Sequence, residues 1–172
     1  MAGLERTLVS LCNQTYGSFE VILVNTCFKD SQKLIEFVAQ WEDLKLKHVN
    51  LLGDRTRGQA INAGFEKSNG EFVCVARVGE VWHPQKLDNQ VKSLVLEDGV
   101  CSIPLCAALS TNGLFQLRWS PKLGYVFHDD AAVLCERKAV IELEGWDDSI
   151  SDPHNLFMHR LVSVYGKDQT IL

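Results

Sequence analysis

Residues 10–24 read SLCNQTYGSFEVILV, and this stretch decides the fold class. Its second half, residues 19–24, is an almost continuous apolar run, which is typical of a strand buried on both faces of a parallel sheet. Upstream, leucines recur at helical spacing and predict a helix over residues 4–13. The first predicted elements are therefore a helix, a short turn and a buried strand.

Strands and helices alternate through the rest of the chain. The short connections between them specify a mostly parallel sheet with helices on both faces, because each helix returns the chain to the same edge of the sheet. The sequence thus predicts an α/β fold built as a single domain over residues 1–172. The further predicted helices cover residues 31–41, 58–68, 84–98, 138–143 and 154–165, and the further predicted strands cover residues 48–52, 72–76, 100–107, 114–119 and 131–135.

The composition excludes several classes of protein. With 46% hydrophobic and 23% charged residues, the 172-residue chain has the make-up of an ordinary globular domain. A net charge of -5 gives no overall attraction to nucleic acid. The longest apolar runs have the length of strands, so no transmembrane segment is predicted. No secretion signal or close cysteine pair is recognisable, and the six cysteines are therefore expected to be reduced thiols in a cytoplasmic protein.

Four segments together resemble family 2 of the glycosyltransferases. Residues 10–24 are similar to the family's SLxxQTYxxFEIIVVDDGS pattern, and residues 57–72 to its GxxxAxNxGxxxAxGEY segment. Residues 81–87, VWHPQKL, are similar to IWHPEKL, and residues 145–149, GWDDS, to GGFDES. The segments occur in the family's order over nearly the whole chain. The resemblance implies a Rossmann-like GT-A fold and transfer of a sugar from a nucleotide-sugar donor, of the UDP-sugar type, to a glycan acceptor.

The donor side departs from the family's pattern. In the family, a divalent cation, Mn²⁺ or Mg²⁺, binds an Asp-x-Asp motif and neutralises the donor's diphosphate. Residues 76–80 read ARVGE at this position, so Arg77 replaces the first carboxylate and only Glu80 remains. An arginine cannot bind a cation, so no metal ligands are assigned. Arg77, Arg57 and Glu80 are instead predicted to lie around the donor, with the guanidinium groups on its diphosphate, an anion that they bind well. The alternatives are that Arg77 pairs with Glu80 or Glu71 and that Arg57 forms a surface salt bridge.

The remaining site positions also follow from the resemblance. Asn25 and Thr26 stand where the family has an acidic pair that contacts the nucleotide. The catalytic base, which takes the proton of the attacking hydroxyl in inverting members, falls on Asp152, Pro153 or His154 according to the alignment. Asp152 is the one carboxylate among these three candidates and is the predicted base.

The family's first strand and its loop have no counterpart in these residues, since the resemblance begins at the helix that follows them. A sheet without this strand would expose backbone groups, which predicts self-association. Two functions remain open on the sequence alone. The domain is either an inverting glycosyltransferase or a degenerate, non-catalytic glycosyltransferase-fold module that acts in binding or assembly.

Overall fold

Helices and strands alternate along the chain as the apolar pattern predicts, which confirms the α/β class. The computed structural model describes residues 1–27, 29–103, 107–109, 115–117, 133–150, 152–166 and 168–171, so the predicted strands over residues 100–107, 114–119 and 131–135 lie partly outside it. The helices are α1 (Ala2–Cys12), α2 (Ser31–Val38), α3 (Arg57–Lys67), α4 (Lys86–Glu97), α5 (Arg137–Glu142) and α6 (Pro153–Tyr165). The strands are β1 (Ile22–Asn25), β2 (Lys47–Asn50), β3 (Phe72–Cys74), β4 (Cys101–Ser102), β5 (Ala107–Leu109), β6 (Phe115–Leu117), β7 (Leu134–Glu136) and β8 (Thr170–Ile171).

The described strands form three hydrogen-bonded groups. Strands β1 and β2 pair in parallel, with Ile22 opposite Lys47. A second group has the order β3-β7-β4-β8, in which β7 runs antiparallel to both β3 and β4 and β8 runs parallel to β4. Strands β5 and β6 form an antiparallel pair. Within the described part of the chain, no backbone pairing joins β1 to β3.

Along the edge of β1 that faces away from β2, no strand of the described residues is paired. The amide of Lys47 donates to the carbonyl of Val21 at 2.8 Å, at the start of the ladder between β1 and β2. Alternate residues of a strand direct their backbone groups to opposite sides, so Ile22 and Val24 direct theirs away from β2. This side of β1 faces β3.

Among the described strands, β3 is likewise paired on one side only, with β7. The amide of Arg137 donates to the carbonyl of Glu71 at 2.7 Å, which continues the antiparallel ladder with β7. The backbone groups of Phe72 and Cys74 therefore point away from β7 and toward β1. We call the space between these two strand edges the slot. The slot divides what would otherwise be one continuous sheet.

Side-chain packing joins the two strand groups across the slot. One cluster of buried side chains combines leucines of α1, α2, α4 and β7, and Val21, Leu23 and Phe72 pack against it from either side of the slot. A second cluster on the other face includes Trp146 and the buried side of α6, and α3 packs against it through Ile61. Helices thus cover both faces. None of the described helices has the length and apolar composition needed to cross a membrane.

The first turn of α3 lies directly against residues 145–149. A Cβ atom added at Gly58 would lie 2.3 Å from the backbone oxygen of Asp147, which is closer than any atom tolerates. One turn later, the Asn62 side chain accepts a hydrogen bond from the Trp146 amide at 3.0 Å and donates one to the Trp146 carbonyl at 2.7 Å. The close approach and these hydrogen bonds fix the segment onto α3.

Replacing Leu8 with alanine tests whether packing holds the strand groups together. Leu8 is 1% exposed, whereas its neighbour Val9 is 45% exposed. We expect Leu8→Ala to lower the free energy of unfolding by about 2–5 kcal/mol, because it removes buried contacts and leaves a cavity. Urea denaturation followed by circular dichroism measures the change. Val9→Ala is the matched control, with an expected change within about 0.5 kcal/mol. Equal losses in the two variants would contradict this assignment of the core.

The close contact at Gly58 decides whether an alanine at this position stabilises or destabilises the fold. Alanine would favour the helix by about 1 kcal/mol through its higher helix propensity. The clash with the Asp147 backbone outweighs this gain, and Gly58→Ala is expected to destabilise the fold by about 1–3 kcal/mol. Gly17→Ala, at a site with no atom within 4 Å of the added methyl group, serves as control and should change little. A stabilised Gly58→Ala variant in the same denaturation assay would show that the contact is absent.

Candidate functional site

The loop that follows β3 is a tight turn held by its own residues. The amide of Arg77 donates to Oε2 of Glu80 at 3.1 Å, and the amide of Glu80 donates back to the carbonyl of Arg77 at 3.2 Å. Gly79 completes the turn with a φ of 102°, a conformation that favours glycine. Glu80, predicted to lie near the donor, thus shapes the backbone at Arg77.

A threonine of α1 anchors this loop. The hydroxyl of Thr7 accepts a hydrogen bond from the amide of Gly79 and donates one to the carbonyl of Glu80, both at 2.9 Å. Thr7 is 4% exposed, so these bonds are shielded from water. The sequence analysis missed Thr7. The sign of its role in the sequence is a hydroxyl-bearing residue on the apolar face of α1.

Arg57 is the first residue of α3 and reaches the same region from the other side. Thr56 precedes it and caps the helix by accepting from the amide of Gln59 at 3.2 Å, while the Gln59 side chain accepts from the amide of Thr56 at 3.2 Å. This reciprocal capping fixes the start of the helix. The position of Arg57 is thus set by local sequence.

Arg57 and Arg77 line one cavity of about 500 Å³. The cavity occupies the slot between β1 and β3, and the two arginines lie at the end where these strands finish. Its other end, where the strands begin, is lined by Glu20 and Glu71. The two arginines that the sequence predicted therefore line the same cavity, at the edge of the sheet where α/β proteins bind their ligands.

Asn25 ends β1 at the same edge of the sheet. It is 5% exposed, and its Nδ2 donates to Oδ1 of Asn50 at the end of β2, at a distance of 3.0 Å. This bond ties the ends of the two parallel strands together. Thr26 follows and is half-buried. Of the two residues predicted to contact the nucleotide, Asn25 is therefore already engaged with its neighbouring strand.

The residues after β3 do not fit a divalent cation. Arg77 offers only hydrogen-bond donors, and Glu80 directs a carboxylate oxygen at the backbone of its own turn. Mg²⁺ or Mn²⁺ needs several oxygen ligands around it, which this donor set cannot supply. In the described part of the chain, no cluster of three or more His, Cys, Asp or Glu side chains is arranged to hold a metal ion.

The three candidates for the catalytic base differ in exposure. His154 is 4% exposed, and the indole Nε1 of Trp146 donates to its Nδ1 at 3.4 Å, so its ring belongs to the core. Pro153 opens α6 and has no titratable group. Asp152 is exposed and caps α6, accepting from the amide of Asn155 at 3.3 Å and from its side chain. Asp152 alone among the three presents a carboxylate to solvent.

The segment before Asp152 carries a second carboxylate. The hydroxyl and the amide of Ser149 both donate to Asp147, and these hydrogen bonds hold the pKa of Asp147 below its usual value. Arg160 of α6 lies 3.6 Å from the same carboxylate and adds to the effect. Asp147 is therefore a charged, structurally engaged group that helps to position the start of α6.

Two tryptophans near the strand ends are parts of the core. Trp82 is 8% exposed, and Nζ of Lys86 lies 4.0 Å from the centre of its ring. Trp146 is 4% exposed and stacks on Phe157 with ring centres 4.6 Å apart. Both rings are largely buried and anchor loops to the helices beneath them, and Trp82 also lines the cavity.

Comparison with known proteins agrees with this architecture. The model of glycosyl transferase family 2 matches residues 2–131. The amylovoran biosynthesis glycosyltransferase AmsB of Erwinia amylovora is 32% identical over 96 residues, which are 54% of this chain and 32% of that protein.

Solved structures show the same fold at low sequence identity. The mannosyltransferase PcManGT from Pyrobaculum calidifontis, in complex with GDP-Man and Mn²⁺, matches 99% of this chain and 50% of its own, with a TM-score of 0.79 and 18% identity. S. aureus TarS 1–349 in complex with UDP-GlcNAc matches 92% of this chain and 49% of its own, with a TM-score of 0.77 and 16% identity. The chain thus spans half or less of these relatives' lengths. The GT-A fold predicted from the sequence is confirmed, and the chain belongs to glycosyl transferase family 2.

Proposed function

We propose that this domain transfers a sugar from a nucleotide-sugar donor to a hydroxyl group of a glycan acceptor, with inversion and without a divalent cation. The observation that carries the proposal is the presence of Arg57 and Arg77 at one end of a single cavity, where the strands finish. A nucleoside diphosphate is the leaving group of this reaction, and two guanidinium groups provide the positive charge that a metal ion supplies elsewhere.

On the donor side, the arginines would act as positive charges whose backbone positions are fixed before the donor binds. The loop of Arg77 is fixed by the Thr7 hydroxyl, and Arg57 is fixed by the capped start of α3. Charges that are already in place stabilise a developing negative charge without reorganisation during the reaction. The start of α3 adds the positive end of a helix dipole at the same place.

On the acceptor side, Asp152 would be the base. Its carboxylate takes the proton of the acceptor hydroxyl as that oxygen bonds to C1 of the sugar, and the bond from C1 to the diphosphate breaks. The negative charge leaves with the nucleoside diphosphate and is met by the arginines. Because attack and departure occur on opposite sides of C1, the anomeric configuration inverts.

The donor that we propose is a nucleoside diphosphate joined to a hexose-type sugar. The related structures named above hold GDP-Man and UDP-GlcNAc, which share a nucleoside diphosphate and a hexose-type sugar. We place this domain in the cytoplasm, since Cys12 and Cys27 are exposed free thiols of the kind that a reducing compartment preserves.

A second candidate function is a non-catalytic binding or assembly module. One observation favours it specifically: the carboxylates of Glu80 and Asp152 both accept hydrogen bonds from backbone amides and so have structural roles. A site that had lost its chemistry would keep such carboxylates for the fold alone. Ligand binding and turnover separate this candidate from the first.

Binding of UDP should not depend on metal. We expect UDP to raise the melting temperature of the protein equally in EDTA and in Mn²⁺, because a ligand that binds only the folded state stabilises it. At a concentration of about 100 times its Kd, UDP stabilises by about 2.7 kcal/mol. Arg77→Gln and Arg57→Gln should each reduce the shift, whereas Arg55→Gln, outside the cavity lining, should keep it. Strict dependence on Mn²⁺ would overturn the role of the arginines, and no shift with UDP or GDP would exclude donor binding.

Replacing the base should affect turnover and leave the fold intact. We expect Asp152→Asn to lower sugar transfer by about 10²–10⁴-fold, the usual contribution of a general base. Asparagine caps helices as well as aspartate does, so the melting temperature and the UDP shift should be unchanged. Transfer is measured as release of nucleoside diphosphate from UDP-GlcNAc or GDP-Man, with simple glycosides as acceptors. Asp148→Asn, an exposed neighbour, is the control. A protein that binds UDP but releases none with any donor would be the non-catalytic module.

A further inference from the structure

We propose that Cys101 and Cys135 form a redox pair, which a small hydroperoxide oxidises to a disulfide that crosslinks β4 to β7. Neither cysteine lines the cavity that holds Arg57 and Arg77, and neither has a role in the proposed sugar transfer. The inference therefore goes beyond that function and does not depend on it.

The register of the two strands places the cysteines opposite each other. Cys101 of β4 is the direct partner of Cys135 of β7 in an antiparallel ladder. The amide of Glu136 donates to the carbonyl of Val100 at 2.9 Å, so the ladder's hydrogen bonds flank the cysteines, which form a non-hydrogen-bonded pair. In such pairs the Cα atoms lie about 4.5 Å apart, a distance that a disulfide spans. Bond formation therefore needs no shift of the strands.

The two side chains are already in contact. The Sγ atom of Cys135 lies 3.5 Å from that of Cys101 and donates a weak hydrogen bond to it. Both are free thiols, and they are 4% and 0% exposed, respectively. A thiol of another protein cannot approach them while the domain is folded. Contact and burial together favour a disulfide within this chain over one between chains.

A third cysteine nearby is kept apart from the pair. Cys74 of β3 lies opposite Leu134, so its side chain is on the other face of the sheet from that of Cys135. The packing agrees, since Cys74 and Leu134 contact the first buried cluster, whereas Cys101 and Cys135 belong to the second, with Trp146. A disulfide at Cys135 is therefore directed to Cys101 and not to Cys74.

The surroundings of the pair select a small oxidant. Phe157, Met158 and Leu161 of α6 belong to the same cluster, and none of them is more than 1% exposed. A bulky oxidant such as glutathione disulfide does not fit between these side chains and the sheet. Hydrogen peroxide is little larger than water and can reach the pair through the local openings that folded proteins undergo.

The hydrogen bond between the thiols decides which sulfur reacts first. The interaction with Cys101 and burial together raise the pKa of Cys135 well above its usual value. Cys135 therefore keeps its proton near neutral pH, and its S–H group stabilises negative charge on the sulfur of Cys101. Cys101 is thus the attacking sulfur, and Cys135 completes the bond.

The oxidation consumes one hydrogen peroxide molecule and releases two water molecules. The ionised sulfur of Cys101 attacks one peroxide oxygen, the O–O bond breaks, and the hydroxide that leaves takes up the proton lost by Cys101. This step gives a sulfenic acid at Cys101. The sulfur of Cys135 then attacks that of Cys101, the S–O bond breaks, and the second hydroxide leaves with the proton of Cys135. The two thiols together lose two electrons, which reduce the peroxide.

The disulfide would close a long loop of the chain. The chain leaves the sheet after Ser102 and returns at Leu134, with β5 and β6 in between. Cys101 and Cys135 are 34 positions apart, so a bond between them removes much conformational freedom from the unfolded chain. Strands β7 and β4 are the two inner strands of the order β3-β7-β4-β8, so the crosslink lies within this strand group and not at its edge.

Peptide mapping tests whether the bond forms. The folded chain is treated with hydrogen peroxide, the remaining thiols are alkylated, and the protein is digested and analysed by mass spectrometry. We expect a crosslinked peptide pair that contains Cys101 and Cys135, and dithiothreitol should separate the two peptides. Cys106 lies outside the described residues, and its absence from the crosslinked pair is part of the prediction.

The melting temperature tests whether the bond stabilises the fold. Oxidation should raise it by about 5–10 °C, and dithiothreitol should reverse the rise. Cys101→Ala and Cys135→Ala should each abolish the rise, whereas Cys74→Ala, the matched control on β3, should keep it. Each variant is compared with its own reduced form, so differences in basal stability cancel. If an alanine variant at position 101 or 135 fails to fold, peptide mapping of the unaltered chain decides.

Three outcomes would overturn the proposal. The first is the absence of a crosslink between Cys101 and Cys135 in the folded chain. The second is a crosslink that forms only in urea, which would show that the reaction requires the unfolded chain. The third is a crosslink without a rise in melting temperature, which would show that the bond does not stabilise the fold. The measurements use no nucleotide, so they are independent of the UDP experiments.

Discussion

Side-chain packing across the slot is the interaction on which the rest of the structure depends. In a continuous sheet, backbone hydrogen bonds run from edge to edge, but here the described strands divide into separate groups at the slot. The leucines of α1 and α4 contact both sides and hold β1 and β3 in place.

The same arrangement shapes the candidate site. The loop that carries Arg77 is held to α1 by Thr7, whereas Arg57 is the first residue of α3. The two arginines therefore approach the slot from different elements. Both arginines line the cavity at the edge of the sheet where the strands end. Family membership and fold are established by the comparisons, whereas the chemistry depends on these few side chains.

Much of the fold follows from the sequence, because local patterns determine it. α1 and α3 lie within two residues of their predicted bounds, since their apolar stripes and the cap at Thr56 are local signals. β1 is shorter than its apolar run, which begins at residue 19, because the pairing partner on β2 begins only at Lys47. The antiparallel course of β7 has no local signal, since it depends on partners more than 30 residues away in sequence.

The site is less predictable for the same reason. Sequence reasoning identified Arg57 and Arg77, because both stand in recognisable segments, but their shared cavity depends on tertiary packing. It missed Thr7, whose role appears only when α1 meets a loop some 70 residues away. It also gave no indication that Asn25 is bonded to Asn50, since that bond requires two strands to end side by side.

The contact between Gly58 and the Asp147 backbone links the two segments that carry the proposed donor-side and acceptor-side residues. Arg57 precedes that glycine directly, and Asp152 lies five residues after Asp147, so one contact between two backbones links the proposed donor-side and acceptor-side residues. This contact leaves no room for a methyl group at position 58. A side chain at position 58 would force the start of α3 and residues 145–149 apart, and with them the backbone at Arg57 and at Asp152.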